Sequence, residues 1–314
     1  MKVLYDFEEQ FGTEKQCLDY LYSLRWPDGY RCPRCYHNEA WQIKEWKYKC
    51  RKCGYQATVT AGTFFQNSHL PITLWFKAIW YVCSQTGGAN ALDLQKQLNI
   101  GSYRTAWTML LKIRRLMADN EPIKLKGRVA VDECRIFRTH GAKQSDVFLA
   151  AEIHTNGKIG NICMDIDCDH SNKNFCAFLH KHIKVGSIVI SIYHFNKWAH
   201  ILTSSDFIDY PDSITQEYKF IKMHRTQDND RYLIPIAHNI MNWLDSRGLL
   251  NNQQVRSSKD HLQSYLIECC YKFNRRSKSA SEMFNELLYS AVRTDPLTYR
   301  NIMMEKETPH RVEL

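Results

Sequence analysis

The sequence lacks any apolar segment long enough to cross a membrane. None of its 314 residues falls in an unbroken apolar run of about eighteen, which is the length that a membrane-spanning helix needs. Residues 1–7 also lack the apolar run of a secretory signal peptide. These absences argue against membrane-bound and secreted classes of protein, and the expected compartment is the cytoplasm.

A strong excess of one charge sign is also absent. The chain has 42 lysines and arginines against 33 aspartates and glutamates, which leaves a net charge of +9. A basic protein suits a polyanionic partner such as DNA, but many metabolic and ribosomal proteins are equally basic, so the charge alone assigns no function. The length and the 44% hydrophobic content predict two or three domains with packed cores.

Cysteine, by contrast, is abundant, and four of the twelve cysteines form a pattern. Cys32 and Cys35 make one Cys-x-x-Cys pair, and Cys50 and Cys53 make a second pair after fourteen intervening residues. Four thiolates at this spacing suit one tetrahedral Zn²⁺, and the residues between them are long enough for one hairpin. Disulfides are the alternative, but nothing else in the chain indicates a secreted protein. The sequence therefore predicts a zinc ribbon with structural zinc, and the other eight cysteines are interpreted as small buried side chains.

The pattern changes from strand-like to helical after the ribbon. Residues 58–65 are predicted to form the last ribbon strand and a turn, so an N-terminal helix and the zinc ribbon occupy residues 1–65. Three helices are then predicted: one from Pro71, one at 91–98 and one at 103–117. The last two are joined by a short turn with a glycine, so residues 66–125 are interpreted as a helix-turn-helix-like DNA-binding module.

The third of these helices carries basic side chains on the face that is predicted to point outward. They are Arg104, Lys112, Arg114 and Arg115. Contact with DNA phosphates is the favoured interpretation, because a zinc ribbon directly precedes the helices. An ordinary solvated helix face is the alternative.

The second half of the chain alternates apolar strands with a helix. Strands are predicted at 128–135, 146–153, 158–166 and 186–192, with a helix at 172–183. Three meandering strands, a helix and a further strand are the order of a ribonuclease H-like fold. The sequence therefore predicts an α/β chain with a ribonuclease H-like catalytic domain over residues 126–290 and a C-terminal tail at 291–314. Carboxylates at the strand ends of such a fold hold two divalent ions such as Mg²⁺.

Several segments share the pattern of one family of proteins. They are the ribbon, residues 103–114, 131–133, 185–189, 237–239 and 261–268, and the run Phe273, Asn274, Arg275, Arg276. On these segments the chain resembles bacterial insertion-sequence transposases of the zinc-ribbon DDE group, which are relatives of the Merlin elements. The resemblance covers nearly the whole chain and implies cut-and-paste DNA transposition by two-metal phosphoryl transfer.

The resemblance also implies roles for two residues. The first metal-binding acid of the family aligns with Asp132, which would bind Mg²⁺, and the third metal-proximal residue aligns with His238. Glu133 should point to the opposite face of its strand. A lone aspartate at a strand end is more often a cap or a surface group, but Val-Asp-Glu on an apolar strand favours the metal-binding role for Asp132. His238 is equally well an ordinary helix histidine. The implied partners are double-stranded DNA, namely terminal repeats and target, and further copies of the chain in a homodimer or larger assembly.

The second acid of the family is missing. Its position aligns with Ile192, whose aliphatic side chain cannot bind Mg²⁺, and a family lysine aligns with Asp245. The catalytic site is therefore predicted to be degenerate and its activity impaired. A carboxylate from elsewhere is expected to miss the shared metal position. The nearby acids that could be tried there are Asp165, Asp167, Asp169, Asp206 and Asp209.

Two functions stay open on the sequence, an impaired DDE transposase and a catalytically silent DNA-binding protein or regulator derived from one. A transcription-factor module fused to an unrelated α/β domain is a third interpretation, which the segments at 261–276 argue against. Paired arginines after a helix commonly cap it, but they also suit a target-DNA surface. The basic residues concerned are Lys272, Arg275, Arg276 and Lys278. The expected location is the bacterial nucleoid.

Overall fold

A computed structural model describes residues 2–120, 124–136, 145–167, 172–191, 218–222, 235–249 and 259–296. The described residues divide into two units. The first lies within Met1–Gln85, Ala89–Asn120 and Ser277–Leu314, and the second within Thr86–Gly88 and Glu121–Arg276.

The described elements have the mixed α/β character that the sequence predicts. The helices are α1 (Lys2–Phe11), α2 (Glu14–Arg25), α3 (Ile72–Ser84), α4 (Ala91–Gln97), α5 (Tyr103–Asp119), α6 (Asn172–His182), α7 (Pro235–Ser246), α8 (Lys259–Asn274) and α9 (Ala280–Ala291). The strands are β1 (Ala40–Lys44), β2 (Lys47–Cys50), β3 (Gln56–Thr58), β4 (Arg128–Ile136), β5 (Ser145–Ile153), β6 (Ile159–Ile166), β7 (Ile188–Ser191) and β8 (Lys219–Lys222). Among the described residues, no helix is both long and apolar enough to cross a membrane.

Two helices of the first unit begin at capping boxes. At α2 the side chain of Thr13 accepts the N–H of Gln16, whose own side chain accepts the N–H of Thr13. Ser279 and Glu282 make the same pair of bonds at the start of α9. Because the first N–H groups of a helix have no partner within it, these reciprocal bonds fix where both helices begin.

A cluster of aromatic rings holds the helices of the first unit together. The ring centroid of Phe284 in α9 lies 5.6 Å from that of Phe7, 5.5 Å from that of Phe11 and 5.8 Å from that of Phe76. All four rings are buried, and burial of each contributes about 2–3 kcal/mol. α9 is thus part of the first unit, whereas the sequence places residues 280–290 in the domain 126–290. An apolar helix face predicts that the helix is buried, but it does not identify the elements against which the helix packs.

The zinc ribbon follows α2 as a three-stranded antiparallel sheet in the order β1-β2-β3. On its packed side, the ring of Tyr48 lies 5.7 Å from that of Trp26 and 5.5 Å from that of Tyr30. The predicted hairpin between the cysteine pairs is present as β1 and β2. The predicted last strand and turn at 58–65 are both present, but the strand lies earlier: β3 ends at Thr58, and hydrogen-bonded turns follow it.

α4 and α5 are two helices joined by a short turn. Asn90 caps the start of α4 with its side chain. Asn99 lies in the turn with φ 50°, a left-handed conformation that asparagine adopts more readily than most residues. Leu94 of α4 and Ala106 of α5 are fully buried. The arrangement is helix-turn-helix-like, with α5 as the longer second helix.

The second unit is built on a five-stranded sheet with the order β6-β5-β4-β7-β8. β4, β5 and β6 are antiparallel neighbours, and β4, β7 and β8 are parallel neighbours. The predicted β4, β5, β6 and α6 are each present with ends shifted by one residue at most. Long apolar runs predict these strands well because the central strands are buried on both faces.

Alternate residues of the central strands face different cores. Leu149 and Met164 pack on the side of α7 and α8, and Phe148 packs on the side of α6. The strand register puts Asp132 in the row of Leu149 and Met164, and it puts Glu133 in the row of Phe148. Glu133 therefore points away from Asp132, as strand alternation predicts.

Side chains of α8 cover the outer edge of β6. Gln263 accepts the N–H of Ile166 at 3.0 Å and donates to the carbonyl of Met164 at 3.2 Å. Asn274 accepts the N–H of Ile162 at 2.7 Å and donates to the carbonyl of the same residue at 3.0 Å. These two amides take the place of a further strand, so the edge is closed to pairing with another chain.

Two basic residues that the sequence places on a target-DNA surface are engaged within the second unit. Arg276 donates to the carbonyls of Phe273 and Gly160 and thus caps the end of α8, which is the alternative that the sequence leaves open. Lys272 is a correction, because it is buried and pairs with the buried Glu268 at 3.0 Å. A buried cation needs such an anion, and no local sequence signal reveals the burial.

Candidate functional site

Four thiols of the ribbon converge on one point. Their sulfur atoms all lie within 4.8 Å of one another. Sγ of Cys32 is 3.7 Å from that of Cys53, and Sγ of Cys35 is 3.6 Å from that of Cys50. Disulfide sulfurs lie about 2.05 Å apart, whereas four sulfurs about 2.3 Å from a tetrahedral Zn²⁺ lie about 3.8 Å apart. The geometry fits structural zinc and excludes disulfides among these cysteines.

Each cysteine pair is held in a turn by the same backbone bonds. In the first turn, the N–H of Cys32 donates to the carbonyl of His37, and the N–H of Tyr36 donates to the carbonyl of Cys32. The second turn repeats this pattern at Cys50 and Gly54. The residue after each pair is left-handed, with φ 59° at Tyr36 and 68° at Gly54. Glycine adopts this conformation without steric cost, while tyrosine is strained by about 1 kcal/mol.

The surroundings of the thiols separate their acidities. Burial alone raises the pKa of Cys32, but the N–H groups of Cys35 and Arg34 and the neighbouring thiols outweigh it and lower this pKa to about 6. The N–H of His37 lowers the pKa of Cys35, but burial and the other thiols outweigh it and raise this pKa to about 12. The surroundings thus favour a thiolate at Cys32, and a bound Zn²⁺ would stabilise all four cysteines in that form.

A stripe of basic side chains on α5 is the second candidate site. Arg104 is exposed in the first turn, and the half-buried Lys112 and Arg115 continue the same face at helical spacing. Arg115 pairs with Asp119 at 3.1 Å, and the ammonium of Lys112 lies 5.8 Å from the ring centroid of Trp75. Burial lowers the pKa of Lys112. Three of the four basic residues predicted on this helix therefore share one face.

Arg114 is a correction, because the sequence places it on the outward face and the structure buries it. Arg114 is only 2% exposed, and its guanidinium donates to the carbonyl of Ala89 at 2.7 Å. At 100° per residue, Arg114 lies between the inward Ile113 and the outward Arg115, so spacing alone leaves its face undecided. Arg114 is a structural residue of the first unit.

Asp132 lies in β4 on the face that α7 and α8 cover. Its residue is half-buried, and Oδ1 accepts the N–H of Glu133 at 2.8 Å. The described register between β4 and β7 ends with Val131 opposite Ser191. Asp132 follows Val131 in β4, and Ile192, which follows Ser191 in the sequence, lies outside the described residues.

The helix that carries His238 packs on the same side of the sheet as Asp132. His238 is in the first turn of α7, but its side chain lies outside the described part of the chain. Ile240 and Leu244 of α7 belong to the core on that face, and Asp245 is exposed. Apart from the ribbon cysteines, the described residues contain no group of three acidic, histidine or cysteine side chains placed to hold a metal.

The alternative acids do not stand beside Asp132 where the structure describes them. Asp165 lies in the neighbouring row of the sheet, and its Oδ2 is 2.8 Å from both Lys181 and His182. Asp167 is buried after β6 and accepts a hydrogen bond from Asn174. The other acids lie outside the described residues: Asp169, Asp206 and Asp209.

Two basic residues around the end of α8 stay partly exposed. The guanidinium of Arg275 lies 4.0 Å from the ring centroid of Tyr271. Lys278 forms an ion pair with Glu286. Neither contact removes the positive charge from the surface, so both residues stay candidates for phosphate contact.

Three residues to which the sequence pattern assigns no role have a clear position in the structure. Trp41 is exposed on the ribbon, and strand alternation relative to Tyr48 would have been the signal for its outward position. Gln263 and Asn274 cover the edge of β6. Their bonds join residues about a hundred positions apart, so no local pattern could have shown them.

Two comparisons with known proteins fit this geometry. Residues 12–56, which contain α2 and all four cysteines, match the family described as the transposase zinc-ribbon domain. A further similarity, 24% identical over 127 residues, is to an uncharacterised protein in the transposable element ISH50 of Halobacterium salinarum, and it covers 39% of this chain and 42% of that protein. The chain thus spans less than half the length of this relative. Residues 12–56 are thus similar to a transposase zinc-ribbon domain, and the four-thiol site lies within that match.

Proposed function

We propose that this protein is a DNA-binding, transposase-type protein of a mobile element, of the zinc-ribbon DDE group, and that its DNA-cutting chemistry is impaired. The match of residues 12–56 to the transposase zinc-ribbon domain carries the proposal. The partial similarity to a protein of a transposable element supports it. That similarity spans less than half of the relative. The proposed activity therefore rests on the residues of this chain and not on that relative.

The sheet of the second unit supports a ribonuclease H-like catalytic domain. Such a domain has three antiparallel strands, then a helix, then strands added in parallel to the first. The order β6-β5-β4-β7-β8 with α6 between β6 and β7 agrees with this arrangement. The proposed functional modules are the ribbon at 1–65, the helix-turn-helix-like module at 66–125, the catalytic domain at 126–290 and the tail at 291–314. The last helix of the range 126–290, α9, belongs to the first structural unit.

The proposed catalytic site is built on Asp132, with His238 near the metal. Bound Mg²⁺ would activate water and then a 3′ hydroxyl for attack on phosphate. The pairing of β4 with β7 up to Val131 and Ser191 supports the alignment of Ile192 with the second acid. Isoleucine offers no oxygen to a cation, so cleavage is expected to be slowed by about 100-fold or more.

A catalytically silent DNA-binding protein or regulator is the second candidate, and Ile192 is the observation that favours it. Both candidates use the same binding surface, which consists of the ribbon and the stripe of Arg104, Lys112 and Arg115. The proposed partners are double-stranded DNA, as terminal repeats and target, and a second copy in a homodimer or larger assembly. The bacterial nucleoid is the location that such partners imply.

Binding to duplex DNA tests the proposal. The zinc-loaded full chain should bind with an affinity that falls steeply with salt, because each phosphate contact releases counterions. Arg104→Ala should weaken binding several-fold and reduce the slope of log affinity against log salt by about 1. Lys15→Ala removes the same charge from an exposed ion pair with Asp19, and it should leave affinity and slope unchanged.

Zinc removal provides a second arm of the same experiment. A chelator should abolish most of the binding, since the ribbon needs its metal to fold. Absence of salt-dependent binding to any duplex, including the DNA that flanks the gene, would overturn the proposal. Binding that survives chelation unchanged would show that the ribbon takes no part.

A further inference from the structure

The outward face of the ribbon sheet carries an exposed ring. Trp41 of β1 pairs in register with Lys49 of β2, and Lys49 pairs with Gln56 of β3. This row alternates with the row of Tyr48, so it points away from the packed side of the ribbon. Trp41 is 50% exposed, so half of a large apolar ring faces water.

Positive charge surrounds this ring. The guanidinium of Arg51 lies 5.5 Å from the ring centroid. Lys47 lies two residues before Lys49 in β2 and therefore on the same face. Glu39 is the neighbouring carboxylate, 3.5 Å from Arg51. Across residues 31–58, seven lysines and arginines stand against two glutamates, so this part of the ribbon attracts a polyanion.

The fold does not account for the exposed ring. The packed side of the ribbon is filled by Tyr48, Trp26 and Tyr30, and an exposed cation–ring contact stabilises a fold only slightly. A second ring of the ribbon, Tyr36, is 72% exposed and held at φ 59°, where a bulky side chain is strained. The turn of the first cysteine pair accounts for the φ of Tyr36, whereas no packing contact among the described residues accounts for the exposure of Trp41.

We propose that this surface, defined as the stacking face and made of Trp41, Lys47, Lys49 and Arg51, binds unpaired DNA bases. The ring of Trp41 stacks on a base, and the three cations contact the phosphates beside it. This inference rests on the proposed DNA binding and narrows the substrate of the ribbon to DNA in which some bases are unpaired.

Unpaired bases fit the stacking face better than a duplex does. In a duplex, neighbouring bases cover both faces of each base, and a flat protein surface meets mainly phosphates. Open sheets with exposed rings and cations bind single strands, because the rings stack on bases and the cations follow the backbone. A frayed duplex end or an overhang left by a cut offers bases in this state.

The test compares three forms of DNA with the full-length, zinc-loaded protein. Fluorescence anisotropy is measured at one salt concentration for a labelled duplex, for the same duplex with a single-stranded overhang, and for the same duplex with an unpaired internal loop. The wild type should prefer the two forms with unpaired bases. Trp41→Leu should lower the affinity for these forms by roughly 5- to 100-fold, as the loss of one stacked base predicts, and change duplex affinity by less than about twofold.

Two variants serve as controls. Trp41→Phe keeps a ring and should retain most of the preference for unpaired bases. Tyr289→Leu removes a ring that is 52% exposed and has the Arg293 guanidinium 3.4 Å from its centroid, but this ring belongs to α9. Tyr289→Leu should bind all three forms as the wild type does. Zinc content and thermal unfolding verify that each variant keeps the ribbon.

The outcomes separate this inference from the proposed function. A wild type that binds no DNA overturns both. Equal binding of the three forms by the wild type, or an equal loss for duplex and unpaired DNA in Trp41→Leu, overturns the stacking face alone. A changed oligomeric state of Trp41→Leu in sedimentation, with its DNA preference intact, overturns it too and assigns the surface to a second copy of the chain.

Discussion

The neighbours of Asp165 hold its carboxylate in ion pairs and a hydrogen bond within the second unit. Its Oδ2 lies 2.8 Å from Lys181 and His182, and its Oδ1 accepts a hydrogen bond from Gln263. Burial alone raises the pKa of Asp165, but the hydrogen bond and charge of His182 and the charge of Lys181 outweigh it and hold the pKa below its ordinary range. Asp165 is therefore a charged structural group and a poor substitute for a missing metal ligand.

Asp165→Asn should destabilise the protein at neutral pH by about 2 kcal/mol, because Lys181 and His182 would then face a neutral amide. The pKa of Asp165 in the folded state lies below the unfolded value of about 3.9, so its stabilisation is present above about pH 4 and is lost as the pH falls through the folded pKa. Urea unfolding of both proteins from about pH 7 to pH 3 should show the difference narrowing at the acid end.

A matched control for this prediction is Asp19→Asn. The hydrogen bond from Lys15 lowers the pKa of Asp19 as well, but both partners are exposed. Loss of the Asp19 carboxylate should change the free energy of unfolding by less than about 0.5 kcal/mol. A difference between Asp165→Asn and the wild type that stays constant over the whole pH range would show that the charge of Asp165 does not stabilise the fold.

A single residue can be predicted from the sequence when its spacing from other residues leaves few alternative roles for it. The four cysteines were identified from spacing alone, because two Cys-x-x-Cys pairs leave few other uses for the thiols. Arg114 was placed on the wrong face because it lies at the boundary of the apolar stripe of α5. Lys272 was placed on the surface because its partner Glu268 becomes buried only through long-range packing. The metal-binding role of Asp132 stays a prediction.

Among the elements, the edge strand β6 depends most on side chains from elsewhere in the chain. Gln263 and Asn274 of α8 bond to its backbone, and Arg276 caps the same helix. The segments 261–268 and 273–276, which carry the resemblance predicted from the sequence, therefore include the cover of this strand.

Asn274→Ala should expose this edge. It removes both bonds to Ile162 and leaves one N–H and one carbonyl unpaired, which costs about 1–3 kcal/mol. Hydrogen exchange followed by mass spectrometry should show faster exchange in the peptide that contains Ile162. The protein should also aggregate at lower concentration, because an uncovered edge strand pairs with other chains.

Asn285→Ala is the control for this element. Asn285 also uses its side-chain oxygen, accepting the hydroxyl of Tyr20, but at an exposed site. Its replacement should leave exchange at Ile162 and the onset of aggregation unchanged. Unaltered exchange at Ile162 in Asn274→Ala would mean that packing of α8, and not the amide bonds, protects the edge.

Elements were predictable from sequence where one local signal was strong. The apolar runs located β4, β5 and β6 within one residue, because strands buried on both faces need such runs. The partner of α9 and the cover of β6 were not predictable, since both depend on contacts between distant parts of the chain. The last ribbon strand is predicted to start at residue 58, where β3 in fact ends, because alternating threonine and valine also occur in turns.

The whole molecule divides its tasks between two units. The zinc ribbon and the basic stripe of α5 lie in the first unit, and Asp132 lies in the sheet of the second. The first holds the surfaces proposed to bind DNA, and the second holds the site proposed to cut it. Loss of one metal ligand would therefore silence cutting and leave binding intact.

Metal-dependent cleavage of DNA that carries the ends of the element is the most direct measurement. With Mg²⁺ or Mn²⁺, the wild type should cleave barely if at all, and Ile192→Asp, with Asp245→Lys if needed, should cleave about 100-fold faster or more. Adding Asp132→Ala to that variant should abolish cleavage, whereas adding Glu133→Gln, on the opposite face, should not. Robust cleavage by the wild type that disappears in Asp132→Ala would contradict the claim that isoleucine at position 192 impairs cleavage.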